Sequence, residues 1–360
     1  MDGAQGLGPG RALTAMSTAE LPHLTSDVPA SGGVLRRAPE DFVVEELPAY
    51  LPCGEGEHLY LHVRKRGLST PELARQLARA LGVGEHEVSW AGLKDRHAVT
   101  TQWLSLPAVK AEGALGGLSL PGVELLEAKR HGNKLKNGHL RGNRFTLWLR
   151  EVADAGAARA SFERLVAAGV PNYFGEQRFG LKDDNAEAGK RLLLGERLPR
   201  RPSPFERKLF LSAFQSALFN RLAAARVTAG TLGRALSGDV LRKTDTGGLF
   251  VCEAPEVDQP RVEAREVSAA GPLYGPKMPR AAGEVAAAEQ ALLASEGMAL
   301  EDFRRGRDET EGGRRPYRVF LGEPQLEQER DDLKLAFSLP RGSYATVVMR
   351  ELTKASHGSP

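Results

Sequence analysis

The first hundred residues alternate between two hydrophobic periods. In EHLYLHVRKRG (57–67), Leu59, Leu61 and Val63 alternate with polar side chains, the period of a half-buried strand. Shortly after, STPELARQLARALG (69–82) places Leu73, Leu77 and Leu81 one helical turn apart, which predicts an amphipathic helix. Its ends are marked as well. Ser69 and Glu72 can close a capping box, Pro71 falls in the first turn, and Gly82 follows the last one. Upstream, VLRRAPEDFVVEE (34–46) reads as a turn at Pro39-Glu40-Asp41 and then a strand. Downstream, EVSWA and HAVTTQWLSL read as strands flanking the short loop GLKD (92–95). VELLEAKR (123–130) and NRFTLWLREV (143–152) continue the strand pattern. A sheet crossed by helices makes this region α+β.

The pattern changes near residue 155. ADAGAARASFERLVAAGV is Ala-rich and helical, and VPNYFGEQRFG (170–180) is an aromatic, glycine-dense turn. NAEAGKRLLLGE and PFERKLFLSAFQSALFNRLAAARV predict two helices. The second carries an apolar stripe through Leu209, Phe210, Ala213, Leu218 and Leu222. Short strands and turns fill Gly230 to Val251, and Gly283 to Gly297 forms another Ala-rich helix. GRDETEGGRRPYR (306–318) is a polar break. Beyond it, YRVFLGEPQLE, DLKLAFSLP and GSYATVVMREL return to strand and helix patterns like those of the first part. No internal repeat is present. The simplest layout is a first domain interrupted by a helical insertion, with the returning chain completing the first sheet.

Length and composition fit this layout. A chain of 360 residues, 41% hydrophobic and 26% charged, is ordinary for a globular protein of two domains. No apolar run approaches the roughly 18 to 20 residues of a membrane span. The start, MDGAQGLGPGRALTAMSTAE, lacks a basic region followed by an apolar core, so no secretory signal is expected. Its Gly, Ala and Ser content predicts a flexible lead-in over residues 1–30. Cys53 and Cys252 stand alone, which suits a reducing cytosol and forms no zinc motif. His58 and His62, four strand residues apart, are separated by about 13 Å, too far to share one ion. No metal is expected.

Net charge is only +3, so its distribution matters more than the total. From Lys129 to Arg144 the chain reads KRHGNKLKNGHLRGNR, with six Lys and Arg and no acid. Glycine and asparagine punctuate it, so it is a loop or ribbon. It is either a solvated surface or a phosphate-binding one, with Lys134 and Lys136 central.

One carboxylate stands out in SWAGLKDRHAVTTQWLSLP. Asp95 lies between Lys94 and Arg96, in a short loop between two strand-like runs. Its ordinary role would be to close its own turn. The flanking cations, however, would keep it ionised, and rigid strands can aim it. An ionised carboxylate suits attack at an electrophilic sugar carbon. A glycosidase would need a second carboxyl to protonate the leaving group, and none lies near in sequence.

AGLKDRHAVTTQW resembles the catalytic motif of the TruD family of tRNA pseudouridine synthases. PEDFVVEE (39–46) looks like its N-terminal motif, GNRFTLWLREV (142–152) its Asn-x-Phe motif, VPNYFGEQRFG the entry to its insertion domain, and LPRGSYATVVMREL (339–352) its C-terminal return. These five blocks stand in family order over roughly residues 31–355. The resemblance implies an α+β fold. A pseudouridine synthase catalytic domain with a mixed, largely antiparallel sheet would comprise 31–168 and 316–360, and an inserted, largely helical α/β domain 169–315.

It also supplies the chemistry. Breaking the N1–C1′ bond of a uridine and joining C1′ to C5 keeps the leaving group in the pocket, so one carboxylate suffices. By resemblance Asp95 is that residue, either adding to C1′ or removing the 2′ proton. Phe145 would stack on the flipped base, Asn143 would hydrogen-bond near the base or Asp95, and Phe42 would wall the pocket. Arg36 stands where the family often has Lys, and Tyr344 where Phe is common. Both departures leave their roles open. The basic stretch then reads as phosphate binding. The resemblance further implies tRNA as partner (typically modified at uridine 13 of the D arm), no cofactor, a monomer and a cytoplasmic location.

Other classes compete. A non-catalytic RNA-binding module on this scaffold would not need Asp95. A nucleoside or glycoside hydrolase would need a second carboxyl and no large basic surface. A methyltransferase would want a Gly-rich cofactor loop after a strand, and none of that form is present.

Overall fold

The computed structural model describes residues 20–180 and 184–355. The expected lead-in lies outside the described residues as far as position 19. From residue 20 the chain is folded, with Leu21 and Thr25 buried. The chain divides into two compact units. One is Asp27–Ala167 with Phe320–Lys354, and the other is Ala168–Val319 with the two chain ends.

The first unit runs β1 (Val34–Leu35), β2 (Phe42–Pro48), β3 (His58–Arg66), α1 (Thr70–Ala80), β4 (Ser89–Trp90), β5 (Val99–Pro107), α2 (Ala108–Ala111), β6 (Val123–His131), β7 (Leu140–Arg150) and α3 (Ala155–Ala168). The second unit follows with β8 (Val170–Pro171), α4 (Asn185–Leu194), α5 (Pro204–Thr228), β9 (Val240–Lys243), β10 (Leu249–Val251), α6 (Pro255–Glu263), β11 (Val267–Leu273), α7 (Gly283–Ser295), β12 (Gly313–Pro316) and β13 (Arg318–Val319). The chain then returns to the first unit as β14 (Gly322–Glu329), β15 (Asp332–Pro340) and α8 (Ala345–Thr353).

The first unit is built on a nine-stranded sheet with the path β14-β15-β7-β2-β5-β3-β6, to which β1 and β4 add at β7 and β5. β2 and β5 run parallel, while the remaining pairs are antiparallel, so the sheet is mixed and the fold α+β. Register aligns a row of side chains across five strands on one face: Lys65, Thr100, Val44, Phe145 and Phe337. Helix α1 covers part of this face, its Leu73 and Leu77 packing with Leu59, Leu61, Val63 and Leu104 in a dry cluster. Its predicted capping box is formed, with the Ser69 N–H donating to Glu72 at 2.8 Å and the Glu72 N–H donating back to the Ser69 hydroxyl. Gly142 is required by close strand approach, since a Cβ there would fall 2.1 Å from the Leu339 carbonyl oxygen.

The second unit carries a four-stranded sheet, β10-β9-β11-β12, with helices around it. Two sequence readings are corrected here. In α5, Leu209, Phe210 and Leu222 are only half-buried, whereas Leu211, Phe214, Leu218 and Phe219 are fully buried. The middle of α5 is enclosed on every side, so a single stripe understates its burial. The polar break 306–318 is a built element. β12 pairs with β11, and Arg314 is buried against Glu289, Nη1 to Oε1 being 2.5 Å and Nη2 to Oε2 3.0 Å. Polar composition concealed a strand whose charge is paired internally.

Candidate active site

The loop between β4 and β5 is fixed from beneath by three contacts. The Lys94 N–H donates to the Thr70 hydroxyl at 2.9 Å, which in turn donates to the Gln102 amide oxygen at 2.9 Å. The Lys65 ammonium donates to the Asp95 carbonyl at 2.8 Å. Strand β3, the start of α1 and strand β5 thus hold the backbone that presents Asp95. Its side chain stays about one-third exposed (33%).

A cation that meets Asp95 comes from far off in the sequence. Arg36 Nη2 lies 3.2 Å from Asp95 Oδ2, and the Arg36 side chain is buried. Burial pulls its guanidinium down from the ordinary arginine value while Asp95 pulls it up, and an arginine stays charged throughout. The guanidinium also lies 4.0 Å above the Phe42 ring centre. Arg36 has φ of +62°, a left-handed conformation that a side chain of this size adopts only under constraint.

Lys94 and Arg96 serve other carboxylates, which corrects the expectation that they flank Asp95 electrostatically. Lys94 Nζ lies 2.8 Å from Glu46 Oε2, both side chains almost wholly buried. Arg96 pairs with Glu72 on the first turn of α1. Both sequence neighbours of Asp95 are thus engaged by carboxylates from other elements. Glu46 also accepts the Trp103 N–H at 3.2 Å.

Phe145 is buried. It meets Phe42 edge-on, with ring centres 6.3 Å apart, and Phe337 at 5.7 Å. Asn143, two residues earlier on the same face, is paired in register with Glu46 and Leu339. Tyr344 is half-buried immediately before α8. Lys134 and Lys136 are exposed in the connection between β6 and β7, Lys134 donating to the His86 carbonyl at 3.4 Å. The structure therefore links Asp95, Arg36, Phe42 and Phe145 by direct contact, and Lys94 and Asn143 through Glu46.

The sequence reading missed Lys65, Glu46, Thr70 and Gln102. All four are buried; Lys65, Glu46 and Gln102 with Thr100 and Asn143 form a polar strip on an otherwise apolar sheet face, and Thr70 meets it from the start of α1. Within and beside that strip, Asn143 Oδ1, Gln102 Nε2, Thr100 Oγ1 and Arg36 Nε are buried without a hydrogen-bond partner. Buried polar atoms are normally paired, so four such atoms on and beside one sheet face mark a place built to meet something polar. Among the described residues, no group of three or more His, Cys, Asp or Glu could hold a metal ion, and no helix is long and apolar enough to cross a membrane.

Fold and site together define a class: an α+β protein with a mixed sheet, an arginine-held carboxylate on the loop before β5, an aromatic ring against that arginine, and an under-paired polar strip. The comparisons narrow this class. The family model described as tRNA pseudouridine synthase D (TruD) matches residues 19–197 and 203–352. The tRNA pseudouridine synthase D of Anaeromyxobacter dehalogenans strain 2CP-1 is 53% identical over 345 residues, covering 95% of this chain and 98% of that protein. The tRNA pseudouridine synthase D of a Thermus thermophilus strain is 46% identical over 335 residues, covering 92% of each. The crystal structure titled as a putative tRNA pseudouridine synthase D from Methanosarcina mazei superposes with a TM-score of 0.74 at 24% identity, covering 94% of this chain and 97% of that one. The chain belongs to the TruD family of pseudouridine synthases, which are isomerases.

Proposed function

We propose that this chain isomerises a uridine of tRNA, uridine 13 of the D arm, to pseudouridine, with Asp95 as the catalytic carboxylate. One observation carries the reading: a partly exposed Asp95 is held by Arg36, whose guanidinium lies over the Phe42 ring, and Phe42 in turn meets Phe145. Asp95 either adds to C1′ or removes the 2′ proton, and either route cleaves N1–C1′. The freed uracil rotates, C5 joins C1′, and the C5 hydrogen leaves as a proton while N1 gains one. Arg36 fixes the orientation of the carboxylate. Phe42 and Phe145 wall the base, and the unpaired Asn143 oxygen offers an acceptor for an imide or amide N–H. Lys134 and Lys136 contact phosphates. The segments 31–168 and 316–360 form the catalytic domain, with 169–315 inserted. The enzyme acts as a cytoplasmic monomer.

Transcripts carrying tritium at uridine C5 test this directly, because C–C bond formation displaces that hydrogen. Tritium should appear in water only when position 13 is uridine. Release of free uracil would indicate hydrolysis, and binding without either product would indicate a non-catalytic module.

A further inference from the structure

Lys65 is a buried cation that this reaction scheme leaves unused. It lies in β3 between Arg64 and Arg66, which turn outward to Glu124 and Glu40. Strand alternation turns Lys65 inward, where it is wholly buried. A buried ammonium normally pairs with a carboxylate or gives up its proton. Here both hydrogen-bond partners are backbone carbonyls, Leu68 at 2.5 Å and Asp95 at 2.8 Å. The first belongs to the turn that leads into the Ser69 cap of α1, and the second to the loop that presents Asp95. One ammonium thus ties the two segments together.

We propose that Lys65 is a positioning residue for Asp95: in its charged form it pins the Asp95 backbone and places positive charge behind the carboxylate, opposite Arg36 in role. The proposal rests on the reading of Asp95 as the catalytic group. A methionine of similar length would fill the same space without a desolvated charge, so packing alone does not account for a lysine here. The groups that face it are the Asp95 and Glu72 carboxylates, the Lys94 ammonium, and its cross-strand neighbour Thr100. Burial pushes the amine down to about 8, against the pull of Asp95 and Glu72 and with the push of Lys94. The ammonium is therefore present below that pH and lost above it, so the reaction should slow as pH rises through that value.

Single-turnover tritium release by the full-length protein, from pH 6 to 9.5, tests the proposal on the wild type, Lys65→Arg, Lys65→Met and Asp95→Asn. The wild-type rate should be level on the acid side and fall about tenfold per pH unit above about 8. Lys65→Arg keeps the charge at every pH, so it should retain activity and lose that limb, while any limb due to the RNA itself remains. Lys65→Met should be about 10- to 100-fold slower below pH 8 and level across the range, with tRNA affinity near wild type. A wild-type profile with no limb near 8, a Lys65→Arg profile identical to wild type, or a Lys65→Met rate equal to wild type each overturns the proposal. The first two of these do not depend on whether Lys65→Met folds. Loss of activity in Asp95→Asn alongside unaffected Lys65 variants removes only Lys65. A fully active Asp95→Asn removes the underlying reading.

Discussion

Two places in the molecule, one in each unit, answer buried charge in different ways. In the second unit, Glu289 and Arg314 meet through two bonds, and Arg314 also donates to the Pro279 and Ala270 carbonyls. Burial pushes the Glu289 carboxyl up and Arg314 holds it down. Elsewhere in that unit, Asp239 takes Arg226 on one oxygen and the Leu236 N–H on the other. These charges are answered within the fold. In the first unit, Arg36 meets Asp95 through a single bond of 3.2 Å, its Nε has no partner, and Thr100, Gln102 and Asn143 each leave a buried atom unpaired. A satisfied buried pair holds a structure together, whereas an under-satisfied polar face beside an arginine that holds a partly exposed carboxylate is arranged for a substrate.

Mutations in the two places should therefore fail in different ways. Arg314→Met leaves Glu289 as an unpaired buried charge, at a cost of about 3 to 5 kcal/mol. Melting should fall by roughly 6 to 20 °C, with a near-normal single-turnover rate below the transition. A large rate loss without a change in melting would break the comparison. Arg36→Met should behave oppositely. Losing a charge-assisted bond of about 1.5 to 3 kcal/mol to Asp95 should slow the single-turnover rate roughly 10- to 150-fold, and melting should move little. It also relieves the strained backbone only if the new residue relaxes, so a large fall in melting would place Arg36 with the structural pairs.

Phe145→Leu sharpens the boundary, because Phe145 is both buried and at the site. Base stacking is worth about 1 to 3 kcal/mol by substitution, which predicts a rate loss on the order of 10- to 100-fold if its ring meets the base. A lower melting temperature with normal kinetics would make it core alone. The smallest effect belongs to the surface. Lys134→Ala with Lys136→Ala should reduce the slope of log affinity against log salt by about 1.4 to 1.8, at about 0.7 to 0.9 per phosphate contact. An unchanged slope would return the basic ribbon to plain solvated surface.

The parts of the fold legible in the sequence are those set by local chemistry. The capping box at Ser69 and Glu72 and the alternation through Leu59, Leu61 and Val63 both appear as read. Misreadings arise where an interior is not apolar. Arg314 and its strand look like a break because the partner of Arg314, Glu289, lies 25 residues away. Lys94 and Arg96 look like partners of Asp95 because they adjoin it, whereas Arg36, which pairs with it, lies 59 residues upstream. The missed residues do carry one signal. In β3, Lys65 continues the parity of Leu61 and Val63. In β2, Glu46 continues that of Phe42 and Val44, and in β5 Gln102 continues that of Leu104 and Leu106. A polar residue in phase with a strand's buried face is a candidate for a site, and three strands carry one here. What no local pattern reveals is the register, which pairs Glu46 with Asn143 and sets Lys65 in the row of Thr100, Val44 and Phe145.

The most direct measurement pairs single-turnover tritium release with tRNA affinity for Asp95→Asn. The substitution keeps the shape and removes the charge, so it strikes the transition state more than ground-state binding. Product formation should fall below detection while affinity stays within about tenfold of wild type. Turnover of the variant at the wild-type rate would contradict the assignment of Asp95 as the catalytic carboxylate.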